Sequence, residues 1–170
     1  MAAQEISLQQ YRQLVGREIG ASRWFLIDQR RITQFAQVTE DEQFIHVDPV
    51  AATKARFGGT IAHGFLSLSL LSAMSAAAIP PIAGAEMAIN YGLNSVRFLK
   101  PVGSGKRVRG VFALQDLQER APGQWQSTFA VRVEIELEDK PALVAEWLTL
   151  NILSEAAAPA RSAVTQRASI

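Results

Sequence analysis

The sequence has no cysteine and only two histidines among its 170 residues. The first absence excludes disulfides, thiolate metal sites, iron–sulfur clusters and cysteine nucleophiles. An excess of one charge is also lacking: 17 lysines and arginines against 16 aspartates and glutamates leave a formal net charge of +1. That balance argues against a broadly basic surface for nucleic acid, and no nucleic-acid partner is expected. The most apolar stretch, Ile61 to Ile79, carries His63, Ser67, Ser69, Ser72 and Ser75, whereas a membrane span is longer and less polar. The opening residues lack a basic region followed by an apolar one, as an export signal requires. A cytoplasmic protein with no membrane association is expected.

What is present is apolar content, 48% of the residues, enough to fold around one core at this length. A chain of this size buries on the order of 70% of its unfolded surface and needs no staples. One domain is expected over residues 1–153, with an Ala/Ser-rich flexible tail over 154–170.

The first half reads as helical. Leu8 to Val15 is a short helix closed by Gly16, Arg23 to Asp28 a first strand, and Arg31 to Val38 a short amphipathic helix. Asp48-Pro49 reads as an N-cap followed by proline at the first helical position, opening a helix through about Ala55. Ile61 to Ile79 is expected to be one long helix, apolar on most faces and buried nearly all round. Pro80-Pro81 stops it. Beyond Gly84 the pattern turns to strands: Met87 to Leu99, Val108 to Leu117, Trp125 to Leu137 and Ala142 to Leu153. The fold class expected is α+β, an antiparallel sheet of about five strands enclosing one apolar helix. Such a sheet covers one side of a helix only, so a homodimer is expected to cover the other.

Both histidines flank the start of that helix, in Thr39-Glu40-Asp41-Glu42-Gln43-Phe44-Ile45-His46-Val47-Asp48-Pro49 and in Thr60-Ile61-Ala62-His63-Gly64. A carboxylate and an imidazole on one loop, Asp41 and His46, can both reach one water, one taking a proton while the other supplies one. The same residues also suit a solvated acidic loop. Glu40, Asp41, His46, Asp48 and His63 offer nitrogen and oxygen ligands, but no histidine pair has helical or zinc-finger spacing, and Asp48 is better used as a cap. A Ser–His–Asp triad lacks its Gly-x-Ser-x-Gly elbow.

The run from Phe35 to Pro49, followed by Phe57-Gly58-Gly59-Thr60-Ile61-Ala62-His63-Gly64-Phe65, resembles the MaoC-like (R)-specific enoyl-CoA hydratase family, closest to its nodulation-protein-N-like branch. Its signature has an aromatic residue, a Gly-Asp pair, an Asn-Pro pair and a histidine five after the aspartate. An apolar-His-Gly motif then opens the central helix. Ser95-Val96-Arg97-Phe98-Leu99-Lys100-Pro101-Val102, with Gly105, Val108 and Arg109, is similar to the family's later strand pair. The likeness extends over about residues 10 to 153.

The resemblance implies a hot-dog fold, a long helix wrapped by an antiparallel sheet. It implies that Asp41 and His46 are the catalytic pair and that the Gly64 N–H meets the thioester carbonyl. The reaction implied is reversible addition of water to a trans-2-enoyl thioester of coenzyme A or an acyl carrier, with no cofactor and no metal. Three positions depart from the signature: Glu40 stands for glycine, Gln43 for asparagine and Phe44 for proline. Gln43 keeps an amide, Phe44 is placed to wall the acyl pocket, and Glu40 adds a carboxylate beside Asp41. His63 is expected either to contact substrate or to anchor the loop by hydrogen bonds. Arg97, Lys100, Lys106, Arg107 and Arg109 are either a coenzyme A phosphate cluster or a solvated strand and turn. Thioester hydrolysis on the same fold and acyl-thioester binding without turnover remain open beside hydration.

Overall fold

Period-two alternation builds the second half of the chain. In β5 (Gln124–Ile135) the residues Trp125, Ser127, Phe129, Val131, Val133 and Ile135 are buried and their neighbours are not, as a strand with one covered face requires. Three more strands share the pattern to different degrees, β2 (Phe25–Ile27), β4 (Lys106–Ala121) and β6 (Leu143–Leu153), whereas β3 (Ala85–Phe98) is exposed along most of its length. With β1 (Arg17–Ala21) they form a six-stranded antiparallel sheet in the order β1-β4-β5-β6-β3, with β2 also pairing to β4. The computed structural model describes residues 4–154. The tail expected from 154 onward lies, apart from Ser154, outside the described residues.

The register stacks the core. Phe129 lies opposite Leu114 on β4 and Trp147 on β6, and Phe112, Phe129 and Trp147 pack ring against ring with centroids 5.9 to 6.4 Å apart. Onto this face lie α5 (Gly64–Ser69) and α6 (Leu71–Ala78), which bury Leu66, Ser67, Leu71 and Met74. Gly110 lets the helix come close: a Cβ there would lie 3.0 Å from the Met74 Cβ.

Upstream, α1 (Leu8–Arg12) starts in a capping box between Ser7 and Gln10. Helix α2 (Gln29–Thr39) is capped by Asp28, whose Oδ1 accepts from the Arg31 N–H at 2.9 Å. Helix α4 (Pro49–Thr53) is capped by Asp48, whose Oδ1 accepts from Val50 and Ala51, each at 2.9 Å. The single turn α3 (Phe44–Val47) lies between them, in what the sequence suggested was loop.

The expected antiparallel sheet is present with six strands; the additional one, β1, carries little signal because Arg17–Ala21 lacks apolar alternation and holds Gly20 at an irregular register. Two expectations need correction. The central helix begins at Gly64, not Ile61, and its hydrogen-bond ladder breaks at Leu70. The Ser69 hydroxyl donates to the Leu66 carbonyl at 2.9 Å, the acceptor that a continuous α-helix would give to the Leu70 N–H. Nor is the helix buried nearly all round: Phe65, Ser72, Ala73, Ala76 and Ala77 are exposed, because the sheet covers only one side.

Candidate active site

Two arms of chain meet at the start of α5. The Ile61 N–H donates to the Ile45 carbonyl at 3.0 Å, and the Ala62 N–H donates to Val102 at 2.7 Å. Gln29 bridges the arms, its amide donating to the His46 carbonyl at 2.7 Å and its carbonyl accepting from the Thr60 hydroxyl at 2.5 Å. The loop carrying His46 is thus fastened to the segment leading into the central helix.

This fastening fixes the imidazole. His46 Nδ1 lies 2.7 Å from the Ile61 carbonyl oxygen, and a carbonyl can only accept, so Nδ1 carries the proton. Nε2 is then left with a free lone pair. The His63 ring stacks on His46 with centroids 3.7 Å apart and planes 25° apart, and the Phe35 ring lies tilted against His63 with centroids 5.1 Å apart. His63 Nε2–H donates to the Asp41 backbone carbonyl at 2.9 Å. The Asp41 carboxylate is half-exposed, with Oδ2 3.9 Å from His63 Nε2.

Asp41, His46 and His63 each bring one potential ligand atom within 4.8 Å of the others. The lone pairs of these stacked rings lie in two nearly parallel planes, with ring centroids 3.7 Å apart, so one ion cannot sit in both ring planes at the distance of about 2.0–2.1 Å that zinc needs. The cluster therefore suits proton chemistry better than metal binding.

Gly64 follows His63 directly and opens α5, so its N–H has no helical acceptor. A Cβ at this position would lie 2.8 Å from the Phe98 ring, a contact only glycine avoids. A cavity of about 370 Å³ runs here, bordered by His46, Gly64, Phe65, Phe98, Lys100 and Val102 among others. The structure thus brings Asp41, His46, His63 and Gly64 together. Gln43 caps α3 through its backbone, accepting from the His46 N–H at 2.9 Å, and Phe44 is exposed beside it.

The basic residues are distributed differently. Lys100 and Lys106 both grip Glu138, at 2.5 and 3.1 Å, and their hydrogen bonds hold its carboxyl below the usual range. Arg107 pairs with Glu136 at 3.1 Å. Arg109 pairs with Glu134 at 2.8 Å and lies over the Trp24 ring. Because Gly110 faces the helix, alternation turns Arg109 to the other side of the sheet, away from Gly64. Lys100 borders the cavity, while Arg97 is exposed on β3 and donates to the Val96 carbonyl at 3.1 Å. Sequence reasoning missed Gln29, Thr60 and the Phe98 contact. Nothing local marks the first or the last; Thr60 carried a faint signal as a polar residue next to the Gly58-Gly59 break.

Against known proteins, a model of the MaoC-like domain matches residues 10–136. The chain belongs to the MaoC-like dehydratase family. As a MaoC-like protein it is an enzyme of the hydro-lyase class, and it shares the hot-dog fold of that family's solved members. It is 50% identical over 147 residues to nodulation protein N of Rhizobium leguminosarum bv. viciae, a match covering 86% of this chain and 91% of that protein. It is 44% identical over 131 residues to 3-hydroxyacyl-thioester dehydratase Z of Mycobacterium tuberculosis, covering 77% of this chain and 86% of that one. Among solved structures, the unliganded R-hydratase PhaJ1 of Pseudomonas aeruginosa superimposes with a TM-score of 0.64 at 26% identity, over 81% of this chain and 83% of that chain. The (R)-hydratase from A. caviae involved in PHA biosynthesis gives 0.65 at 25% identity, over 79% and 96% of the two chains.

Proposed function

We propose that this MaoC-like enzyme adds water reversibly, with syn geometry, across the C2–C3 double bond of a trans-2-enoyl thioester. It would act as an (R)-specific enoyl-CoA hydratase in one direction and a 3-hydroxyacyl thioester dehydratase in the other. One observation carries the reading: the Ile61 carbonyl fixes His46 as the Nδ1–H tautomer, leaving Nε2 as the free nitrogen of a ring that clusters with the Asp41 carboxylate and borders the same cavity as Gly64. The names of the relatives, a 3-hydroxyacyl-thioester dehydratase and two R-hydratases, support the reaction class.

In this mechanism Asp41 and His46 hold one water between them. As its oxygen bonds to C3, one of the pair takes its proton and a proton is returned to C2 on the same face. Negative charge gathers on the thioester oxygen, where the Gly64 N–H donates to it. Positioned acid–base groups contribute about two to four orders of magnitude, and an oxyanion donor about two to three. Coenzyme A enters only as part of the substrate; neither cofactor nor metal takes part. In this reading Phe44 and Gln43 would wall the acyl chain, and Arg97 and Lys106 would meet the carrier. The enzyme is read as a cytoplasmic homodimer acting on acyl thioesters of fatty-acid type; no helix among the described residues is long and apolar enough to cross a membrane.

Incubation with crotonyl-CoA tests this directly. Loss of enoyl absorbance without thiol release, giving (R)-3-hydroxybutyryl-CoA, is the expected result. Thiol release would indicate hydrolysis, and binding without turnover a non-catalytic site. Asp41→Asn and His46→Gln should each lower kcat by about a hundredfold or more with the fold intact. Hydration near the wild-type rate in either variant rules out the dyad.

A further inference from the structure

We propose that His63 is a positioning residue for the dyad: its Nε2–H fixes the Asp41 end of the site while its ring fixes the His46 end, and the ring itself transfers no proton. The inference rests on the function proposed above and deepens it. Asp41 lies in coil between α2 and α3, just after Glu40 in a left-handed conformation, and its carboxylate is half-exposed. The tertiary hydrogen bond that ties its backbone to the central-helix arm comes from His63, at 2.9 Å. Asp41 Oδ2, 3.9 Å from the same nitrogen, is beyond hydrogen-bonding distance.

The environment of His63 suits holding rather than proton transfer. The ring is only 4% exposed, stacked on His46 and in tilted contact with Phe35, so packing restrains its plane. Its bonded nitrogen faces a backbone carbonyl, which cannot give up or keep a proton at neutral pH. Its other nitrogen, Nδ1, is buried with no hydrogen-bond partner among the described residues. His63 is also the N-cap residue immediately before Gly64. A single side chain therefore bears on both members of the dyad, and its backbone sets the oxyanion donor. Displacing Asp41 by even an ångström is costly, because such misplacement in a preorganised site lowers rates by up to about a hundredfold.

Two substitutions separate its two contacts. His63→Phe keeps a flat ring against Phe35 and His46 but removes the donor; His63→Gln keeps a donor near the Nε2 position but removes the ring. With crotonyl-CoA, His63→Phe, which lacks the donor to the Asp41 carbonyl, and His63→Gln, which lacks the ring stacked on His46, are each expected to lose about tenfold to a hundredfold in kcat with KM changed less than about threefold. Wild-type kcat in either variant would overturn the proposal. A readout that needs no activity accompanies this one. With only two histidines in the chain, the imidazole nitrogen NMR spectrum is simple to assign. In the wild type it should report the Nε2–H tautomer for His63 and the Nδ1–H tautomer for His46, and an Nδ1–H His63 would sink the idea. The Asp41 carbonyl carbon shift should move in His63→Phe and be restored toward wild type in His63→Gln. If the wild type leaves crotonyl-CoA untouched, the proposed reaction fails while the tautomer and the carbonyl shift still decide the role of His63.

Discussion

Glu40 ends α2 at φ 59° and ψ 20°, in the left-handed region that glycine enters freely and other residues enter at a cost of about 1 kcal/mol. The family signature has glycine at this place, so the departure at Glu40 has a backbone meaning: the turn into Asp41 is kept while its natural residue is not. Glu40→Gly is therefore expected to raise the unfolding free energy by about 0.5–1 kcal/mol, read as a higher urea midpoint at unchanged slope. An unchanged or lower midpoint would show that the Glu40 side chain has contacts worth more than the strain. Tyr11 gives a second prediction. Burial pushes its hydroxyl from 10.0 up to about 12, and the nearby Ser127 hydroxyl, itself without a well-formed hydrogen bond, offsets only part of that rise. A folded-state value above the unfolded one means stability that is complete below the unfolded value. It is lost as pH rises through the folded one, here between about 10 and 12. Tyr11→Phe should flatten the fall in Tm across that window. A fall as steep as the wild type's would mean Tyr11 ionises freely in the native state.

At the scale of elements, the break in the central helix can be tested at one hydroxyl, that of Ser69. Ser69→Ala removes the hydroxyl that occupies the Leu66 carbonyl and should let the Leu70 N–H close the ladder from α5 into α6. Slower amide exchange at Leu70 is the expected outcome; unchanged exchange would place the cause in packing against the sheet. This break also marks where a sequence stops being informative. Strands β5 and β6 were legible because one face is covered along most of their length, so alternation such as Phe129, Val131, Val133 and Ile135 repeats in the residues themselves. The helices opened by Asp48-Pro49 and near Ile61 were legible from capping and composition. Whether a serine hydroxyl takes a backbone carbonyl is decided by competition among neighbours, which spacing does not record. The site divides in the same way. Asp41, His46, His63 and Gly64 lie within one stretch of chain and could be found by motif. Gln29 joins them across 31 residues to Thr60, and Phe98 reaches Gly64 from a strand formed much later, so only the fold brings them in. The basic cluster was the converse case: visible as a row of cations, but paired with Glu134, Glu136 and Glu138 by strand register and turn geometry that composition cannot reveal.

At the scale of the whole molecule, one side of the fold is unfinished. Among the described residues strand β3 has a sheet neighbour, β6, on one edge only, and Met87, Ile89, Tyr91 and Leu93 are 40 to 57% exposed along it. Natural edge strands are usually protected by charge, proline or bulges. Here the charged residues, Glu86 and Arg97, stand near the two ends, and three register irregularities against β6 are the main interruption. The exposed Ala/Ser face of α6 lies open as well, and cavities of about 340 and 240 Å³ lie between that helix and β3. Exposed apolar surface of this extent marks an interface. A second copy placed about a two-fold axis is the simplest closed arrangement, because the same patch then covers itself. Light scattering on the eluting protein should accordingly give twice the chain mass of 18.6 kDa. Ile89→Glu with Tyr91→Glu, both on the exposed row and outside the dyad, should lower that mass to one chain while leaving the far-UV spectrum of the sheet in place. A wild type that elutes as a single chain, or a double variant that stays paired, would move the interface away from β3. The helix face would then need a different cover.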